Sequence, residues 1–336
     1  MRSIFVSLMV LLCAAPVCAG VRVLPQDSSV KVRLRGISAV SADVAWASGR
    51  EGTVLRTVDG GGHWKAIKVP GAEALDFRDV EGFDADTAIV LSIGPGEASR
   101  VYRTVDGGKS WTLALQNHDE HAFFDCMAFD GRRGWMLGDP VGGHFQVYAT
   151  EDGGAQWRLL ETGPEAKQDE AAFAASGTCI ATTPWGERVA VSGGGSARVL
   201  LGDSGGKLWF AHDTPMPARV PAAGIFSATA MGKDMLLVGG DFEKETVGSA
   251  ARAQFENGEG LHVSMLPAPR GYRSGAACTT RDTPKCVAVG PTGVDLLVDA
   301  HWTAVSDTGY DAIDLAGDVG WASGADGRVA RIEIGK

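Results

Sequence analysis

Beyond its first 19 residues the chain has no apolar run long enough to cross a bilayer, so a membrane-spanning helix is not expected in the remainder. Helix-type periodicity is nearly absent, which argues against a helix-dominated fold. No stretch has the composition of a linker, and a single domain over residues 20–336 is expected. Basic charge is also scarce. Residues 1–19 contain Arg2 and no acid, so the remainder carries 30 basic against 41 acidic side chains, a net of −11. That balance favours solubility and excludes a nucleic-acid partner. Cysteine is sparse too. Apart from Cys13 and Cys18, only Cys126, Cys179, Cys278 and Cys286 occur.

The first residues have the layout of an export signal. Met1-Arg2 is a short basic start, Ile4 to Ala15 is apolar, and Val17-Cys18-Ala19 ends in a small-residue cleavage pattern. Neither Cys13 nor Cys18 is preceded by the small-residue pair of a lipoprotein box. The expectation is a signal peptide over 1–19 and a periplasmic or secreted protein. In such an oxidising compartment the four cysteines favour bridges. Cys278 and Cys286 lie symmetrically about Asp282 in a hairpin and are expected to pair. Cys126 and Cys179 occupy matching positions in adjacent repeats, and their pairing is left open.

What the chain does have is a repeat. Arg56-Thr57-Val58-Asp59-Gly60-Gly61-Gly62-His63-Trp64 returns as Arg103-Thr104-Val105-Asp106-Gly107-Gly108-Lys109-Ser110-Trp111, then as Ala149-Thr150-Glu151-Asp152-Gly153-Gly154-Ala155-Gln156-Trp157. The period is about 46 residues, the size of one supersecondary unit stacked on its neighbours. Thr-x-Asp-Gly-Gly-x-x-Trp joins two strands: the Asp accepts N–H bonds within its own turn and the Gly pair supplies positive φ. This resembles the Asp-box, or BNR repeat, and Asp59, Asp106 and Asp152 are expected to be fold residues in it. Val44-Ala45-Trp46-Ala47-Ser48-Gly49 and Val319-Gly320-Trp321-Ala322-Ser323-Gly324 lie six periods apart, so seven units are present. The expected fold is all-β, a seven-bladed β-propeller of four-stranded blades. The last unit, Tyr310 to Ile334, has room for three strands, and Val21–Pro25 is expected to supply the fourth and close the ring. Residues 162–175 are expected to lie over one face of it.

Several catalytic strings dissolve on inspection. Gly202-Asp203-Ser204-Gly205-Gly206 resembles a serine-protease nucleophile signature but falls where a fourth Asp-box belongs, without an upstream His element. Gly193-Gly194-Gly195 does not complete a dinucleotide fingerprint. His118-Asp119-Glu120-His121, with Asp125, lacks the spacing of a zinc protease. No metal or cofactor is expected. The charged residues at the ends of inner strands are the site candidates, because those ends line the axial mouth: Arg35, Arg78, Asp79, Asp125, Glu170, Arg198, Arg252, Arg273 and Asp311, beside Tyr272 and Tyr310. Arg198, Arg252 and Arg273, with Arg35 and Arg78, are expected to clamp a carboxylate-bearing ligand or an acidic partner segment. The self-neutralising alternative pairs Arg273 with Asp311 or Glu170.

The Asp-boxes, the Trp-Ala-Ser-Gly strands and Arg35-Gly36-Ile37 resemble the photosystem II stability/assembly factor superfamily. Phe123-Phe124-Asp125, Gly138-Asp139-Pro140-Val141, residues 173–178 and Gly271-Tyr272-Arg273-Ser274-Gly275 resemble its bacterial exported branch. The resemblance implies a seven-bladed propeller and, for the photosynthetic members, non-catalytic binding and assembly of a membrane-protein complex. Carried over, it implies an exported binding scaffold, taken as a monomer, that assists assembly or stability of an envelope complex. The competing reading is a sialidase-like glycosidase at the axial mouth, with Tyr272 as nucleophile and Glu170 and Asp125 as carboxylates.

Overall fold

The computed structural model describes residues 20–183, 185–203, 208–256 and 260–335. The proposed leader, 1–19, and part of the Gly202–Gly206 string therefore lie outside the described residues. Seven antiparallel sheets form seven blades around an axis. Their innermost strands are Leu34–Ala39, Asp76–Gly82, Phe124–Asp130, Ile180–Thr182, Ala223–Met231, Gly275–Cys278 and Ala312–Ala316. The short strands Glu170–Ala171 and Gly193–Gly194 extend the fifth blade's sheet at its inner edge.

The last blade is completed from the other end of the chain. Val21–Gln26 pairs antiparallel with Val329–Ile334, in register from Val21 opposite Ile334 to Gln26 opposite Val329. Gln26 then fastens this blade to the first. Its Oε1 accepts from Trp64 Nε1 at 3.0 Å and Trp321 Nε1 at 3.1 Å, and its Nε2 donates to Gly60 O at 3.0 Å. Gly61 has to be glycine here: its φ is 86° and a Cβ would sit 2.1 Å from the Gln26 amide.

The three repeated turns have one hydrogen-bond pattern. Thr57, Thr104 and Thr150 each donate through Oγ1 to the Asp two residues on, and accept from Gly61, Gly108 and Gly154 N–H respectively. The aspartates also accept from the N–H groups of His63, Ser110 and Gln156. These carboxylates are spent on holding their turns.

Between blades, apolar side chains fill the layers and polar groups pin the inner strands. Trp46 and Trp321 are fully buried, each capped by a guanidinium, Arg56 at 5.4 Å and Arg331 at 5.3 Å from the ring centroid. Ser38 Oγ accepts from Gly82 N, Asp79 Oδ2 from Met127 N, Ser227 Oγ from Ala276 N, and Asp314 Oδ2 from Ala39 N. Each bond crosses to the next blade. The third and fourth blades are joined covalently by Cys126–Cys179. Cys278–Cys286 links directly opposed residues within the sixth blade. Both bridges fit folding in an oxidising environment, and among the described residues no helix is long and apolar enough to cross a membrane.

These pins give stability a pH dependence. Burial pushes the Asp79 carboxyl up to about 7 and that of Asp314 to about 6, against roughly 4 in an unfolded chain. Between about pH 4 and 7 the folded state thus holds more protons, and stability falls as pH rises through that window. Asp59 and Asp106 have the opposite sign. The His63 N–H and the Ser110 hydroxyl, respectively, are foremost in holding them down at about 2, so their contribution is lost as pH falls toward 2. The melting temperature is expected to peak near pH ~4–5 and to be lower at pH 8, with Asp314→Asn flattening the upper limb. A melting temperature that climbs from pH 5 to pH 8 contradicts this assignment.

Candidate functional site

The inner strands of four blades share one irregularity. The ladder skips a residue between Leu34 and Gly36, between Phe77 and Asp79, between Phe124 and Cys126, and between Ile225 and Ser227. The extra residues are Arg35, Arg78, Asp125 and Phe226. A β-bulge leaves one residue unpaired and re-aims its side chain, and all four line one cavity of about 520 Å³ at a mouth of the propeller. Alternation adds residues of the same parity: Arg33 two before Arg35, Phe123 two before Asp125, and the pair Tyr272 and Ser274. Where the fourth blade would contribute, Ala172–Ala175 from the preceding connection line the wall instead.

One side of this cavity is basic. Arg33 pairs with Asp311 in bidentate fashion, Nε to Oδ2 at 2.6 Å and Nη2 to Oδ1 at 2.8 Å. Arg78 Nε donates to Asp76 Oδ2 at 3.0 Å and its Nη1 to Ala174 O at 2.6 Å. Arg35 is less committed. Its Nη2 donates to Ala175 O at 3.2 Å, its Nη1 stands 3.8 Å from Asp311 Oδ2, and its Nε is buried without a hydrogen-bond partner. Burial, and then the Arg78 charge, brings this guanidinium down to about 10. It remains cationic at neutral pH but gains from any anion placed beside it.

The other walls are apolar and acidic. Phe173 stacks on Phe226 at 4.0 Å and 8°, with Phe242 edge-on to both and Tyr272 edge-on to Phe226. Burial raises the Tyr272 phenol well above its ordinary value. Asp125 is 1% exposed, and burial followed by the neighbouring Asp139 charge raises it well above the usual carboxylate range. Asp139 is raised by burial as well.

Not every sequence candidate reaches this place. Arg35, Arg78, Asp125, Tyr272 and Asp311 do. Arg198 sits on the third strand of blade 4, its Nε 2.7 Å from Glu170 Oε1, with both side chains buried and neither lining the cavity. Arg252 sits on the third strand of blade 5 and pairs with Asp234 through Nε at 2.6 Å. Arg273 lies between two cavity residues, Tyr272 and Ser274, so alternation turns it inward. There it is fully buried, pairs with Asp295 and donates to Thr292 Oγ1 at 2.8 Å. Its partner is therefore neither Asp311 nor Glu170. The three-blade arginine patch of Arg198, Arg252 and Arg273 is not assembled; Arg33, Arg35 and Arg78, from the first two blades, line the cavity instead. Nor does the structure bring Glu170 to Tyr272, because Arg198 and Ser192 hold that carboxylate. Asp79 is used by backbone donors, and Tyr310 packs in a core with Arg328 over its ring. His118 and His121 are exposed on their loop, and among the described residues no group of three or more ligating side chains is placed to hold a metal.

Arg33, Asp139, Phe173, Phe226 and Phe242 were not legible as site residues. The doublets Arg33-x-Arg35 and Phe123-x-Asp125, placed where inner strands begin, were the available signal.

No protein-family model and no curated protein sequence matches the chain. Solved structures do. A YCF48 bound to a D1 peptide aligns over 94% of this chain and 97% of its own, at 17% identity and a TM-score of 0.65. The chain is similar in fold to that photosystem II assembly factor. YCF48 from Cyanidioschyzon merolae gives 19% identity over 94% and 99% of the two chains, TM-score 0.65. The virginiamycin B lyase of Staphylococcus aureus gives 11% over 93% and 98%, also at 0.65. Identities this low establish the seven-bladed fold alone, and the fold hosts both binders and enzymes.

Proposed function

We propose that this protein is an exported, non-catalytic binding propeller. It captures a carboxylate-bearing segment of a partner protein in the mouth cavity and serves, as a monomer, the assembly or stability of an envelope complex. The observation that carries this reading is the bulge set, which aims Arg35 and Arg78 into one cavity while leaving Arg35 Nε free. A partly desolvated guanidinium with an unpaired N–H is well suited to a carboxylate. Further support comes from the leader-like first residues, the two disulfides, and a similar propeller that holds a peptide.

The test is a matched panel on one protein preparation: short peptides with free and with amidated C-termini, beside fluorogenic sialosides. The free acids are expected to bind at least about tenfold tighter than the amides, the scale of one lost charge-assisted bond, with no sialoside turnover. Turnover of a sialoside that depends on Tyr272 would replace this reading with the glycosidase one.

A further inference from the structure

We infer that the phenylalanine wall of the cavity is a subsite of its own: it takes an aromatic side chain of the partner segment, adjoining the acidic side chain that meets the guanidiniums. Phe242, at the rim, is its specificity-determining residue. This deepens the carboxylate reading above and rests on it only for the acidic neighbour. The occupant is an internal stretch of a partner protein in which an aromatic and an acidic residue stand side by side.

Phe242 is 46% exposed although it stands edge-on to two other rings, Phe173 at 6.3 Å and Phe226 at 6.2 Å. Its turn is fixed by hydrogen bonds. Phe242 N donates to Ala222 O at 3.0 Å, and the buried Asp241 accepts from Glu243 N through Oδ1 at 3.0 Å. A large ring held in place yet left half in water is a preorganised apolar face, and covering it is favourable. Tyr272, edge-on to Phe226 at 4.7 Å, continues the wall, and one more ring fits this edge-to-face pattern. Tyr272 also joins the wall to the basic side, because its phenol lies among the charges of Arg35, Asp311, Arg33 and Arg78. Ala174 and Ala175, which follow Phe173, accept from Arg78 and Arg35. The apolar and basic subsites are therefore contiguous. Charge orients the occupant: Glu245, on the Phe242 loop, lines the cavity and repels an anion that the guanidiniums attract. A volume of about 520 Å³ holds both side chains.

Four peptides, each N-acetylated and C-terminally amidated so that no chain-end charge remains, separate the two subsites: Gly-Phe-Glu-Gly, Gly-Leu-Glu-Gly, Gly-Ala-Glu-Gly and Gly-Phe-Gln-Gly. With the wild-type protein, the Phe-Glu peptide is expected to bind at least about tenfold tighter than the Ala-Glu peptide, the scale of burying one large apolar side chain, and tighter than the Leu-Glu peptide. Phe242→Ala is expected to remove most of the advantage over Ala-Glu while leaving the Ala-Glu affinity and the melting temperature in place. A lower melting temperature with the advantage intact would make Phe242 merely structural and overturn the inference. Equal wild-type binding of Phe-Glu and Ala-Glu, with Phe-Gln weaker, overturns the aromatic subsite and leaves the carboxylate reading standing. Leu-Glu binding as tightly as Phe-Glu overturns the aromatic preference. Equal binding of Phe-Glu and Phe-Gln overturns the carboxylate reading instead. Absence of binding by all four at millimolar concentration overturns both. The wild-type comparisons decide the matter even if Phe242→Ala does not fold.

Discussion

A protein beginning near Val30, without the closing strand, is expected to lose at least about 3 kcal/mol of stability or to aggregate. Two indoles, Trp64 and Trp321, lose the Gln26 oxygen they share, at about 1–3 kcal/mol each for a buried donor left without a partner. Six cross-strand pairs go with them, worth roughly 0.2–1 kcal/mol each. Val329–Ile334 then becomes an open edge, a template for pairing with another chain. Denaturant unfolding of the truncated and intact proteins measures the difference. Identical midpoints would contradict closure by the N-terminal strand, and Gln26→Ala should reproduce only the indole part.

The second large effect concerns a pair hidden in the sixth blade. Asp295→Ala is expected to cost about 3–5 kcal/mol, because it strands a fully buried Arg273 without its carboxylate. Arg273→Ala should cost less, since Arg270 Nε still reaches Asp295 at 2.7 Å and keeps that carboxylate paired. Neither side chain lines the cavity, and Arg273 reaches it only through its Nη1 bond to the Tyr272 carbonyl at 3.0 Å, so carboxylate binding should change far less than stability. Thermal unfolding and a binding titration on the same two variants check this. A loss of binding in Arg273→Ala with unchanged stability would restore Arg273 to the site.

The architecture was legible because it repeats. Three Thr-x-Asp-Gly-Gly-x-x-Trp turns and the distance from Trp46 to Trp321 announce seven units, and those turns recur with one hydrogen-bond pattern. Closure followed from counting strands in the last unit. The Cys278–Cys286 pair followed from hairpin symmetry, whereas Cys126–Cys179 crosses between blades, where the sequence gives position but not proximity. The candidate site was half legible. Arg35, Arg78, Asp125 and Tyr272 could be placed at strand ends, but which way an arginine points depends on parity, and a bulge resets parity at a single residue. Arg273 shows the cost of that blindness. It flanks the mouth in sequence and faces away from it in space. Arg198 and Arg252 failed for a different reason: each sits on a third strand, where a nearby carboxylate, Glu170 or Asp234, had already claimed it.

The central claim is that ligand carboxylates bind at the guanidiniums of Arg35 and Arg78. Calorimetric titration of a free-acid peptide into the wild type, the double variant Arg35→Gln Arg78→Gln, and Arg252→Ala tests it most directly. The account predicts that the double variant loses at least about 1.5–3 kcal/mol of binding, more than tenfold in affinity, while Arg252→Ala binds as the wild type does. Undiminished affinity in the double variant, or an equal loss in Arg252→Ala, would contradict it.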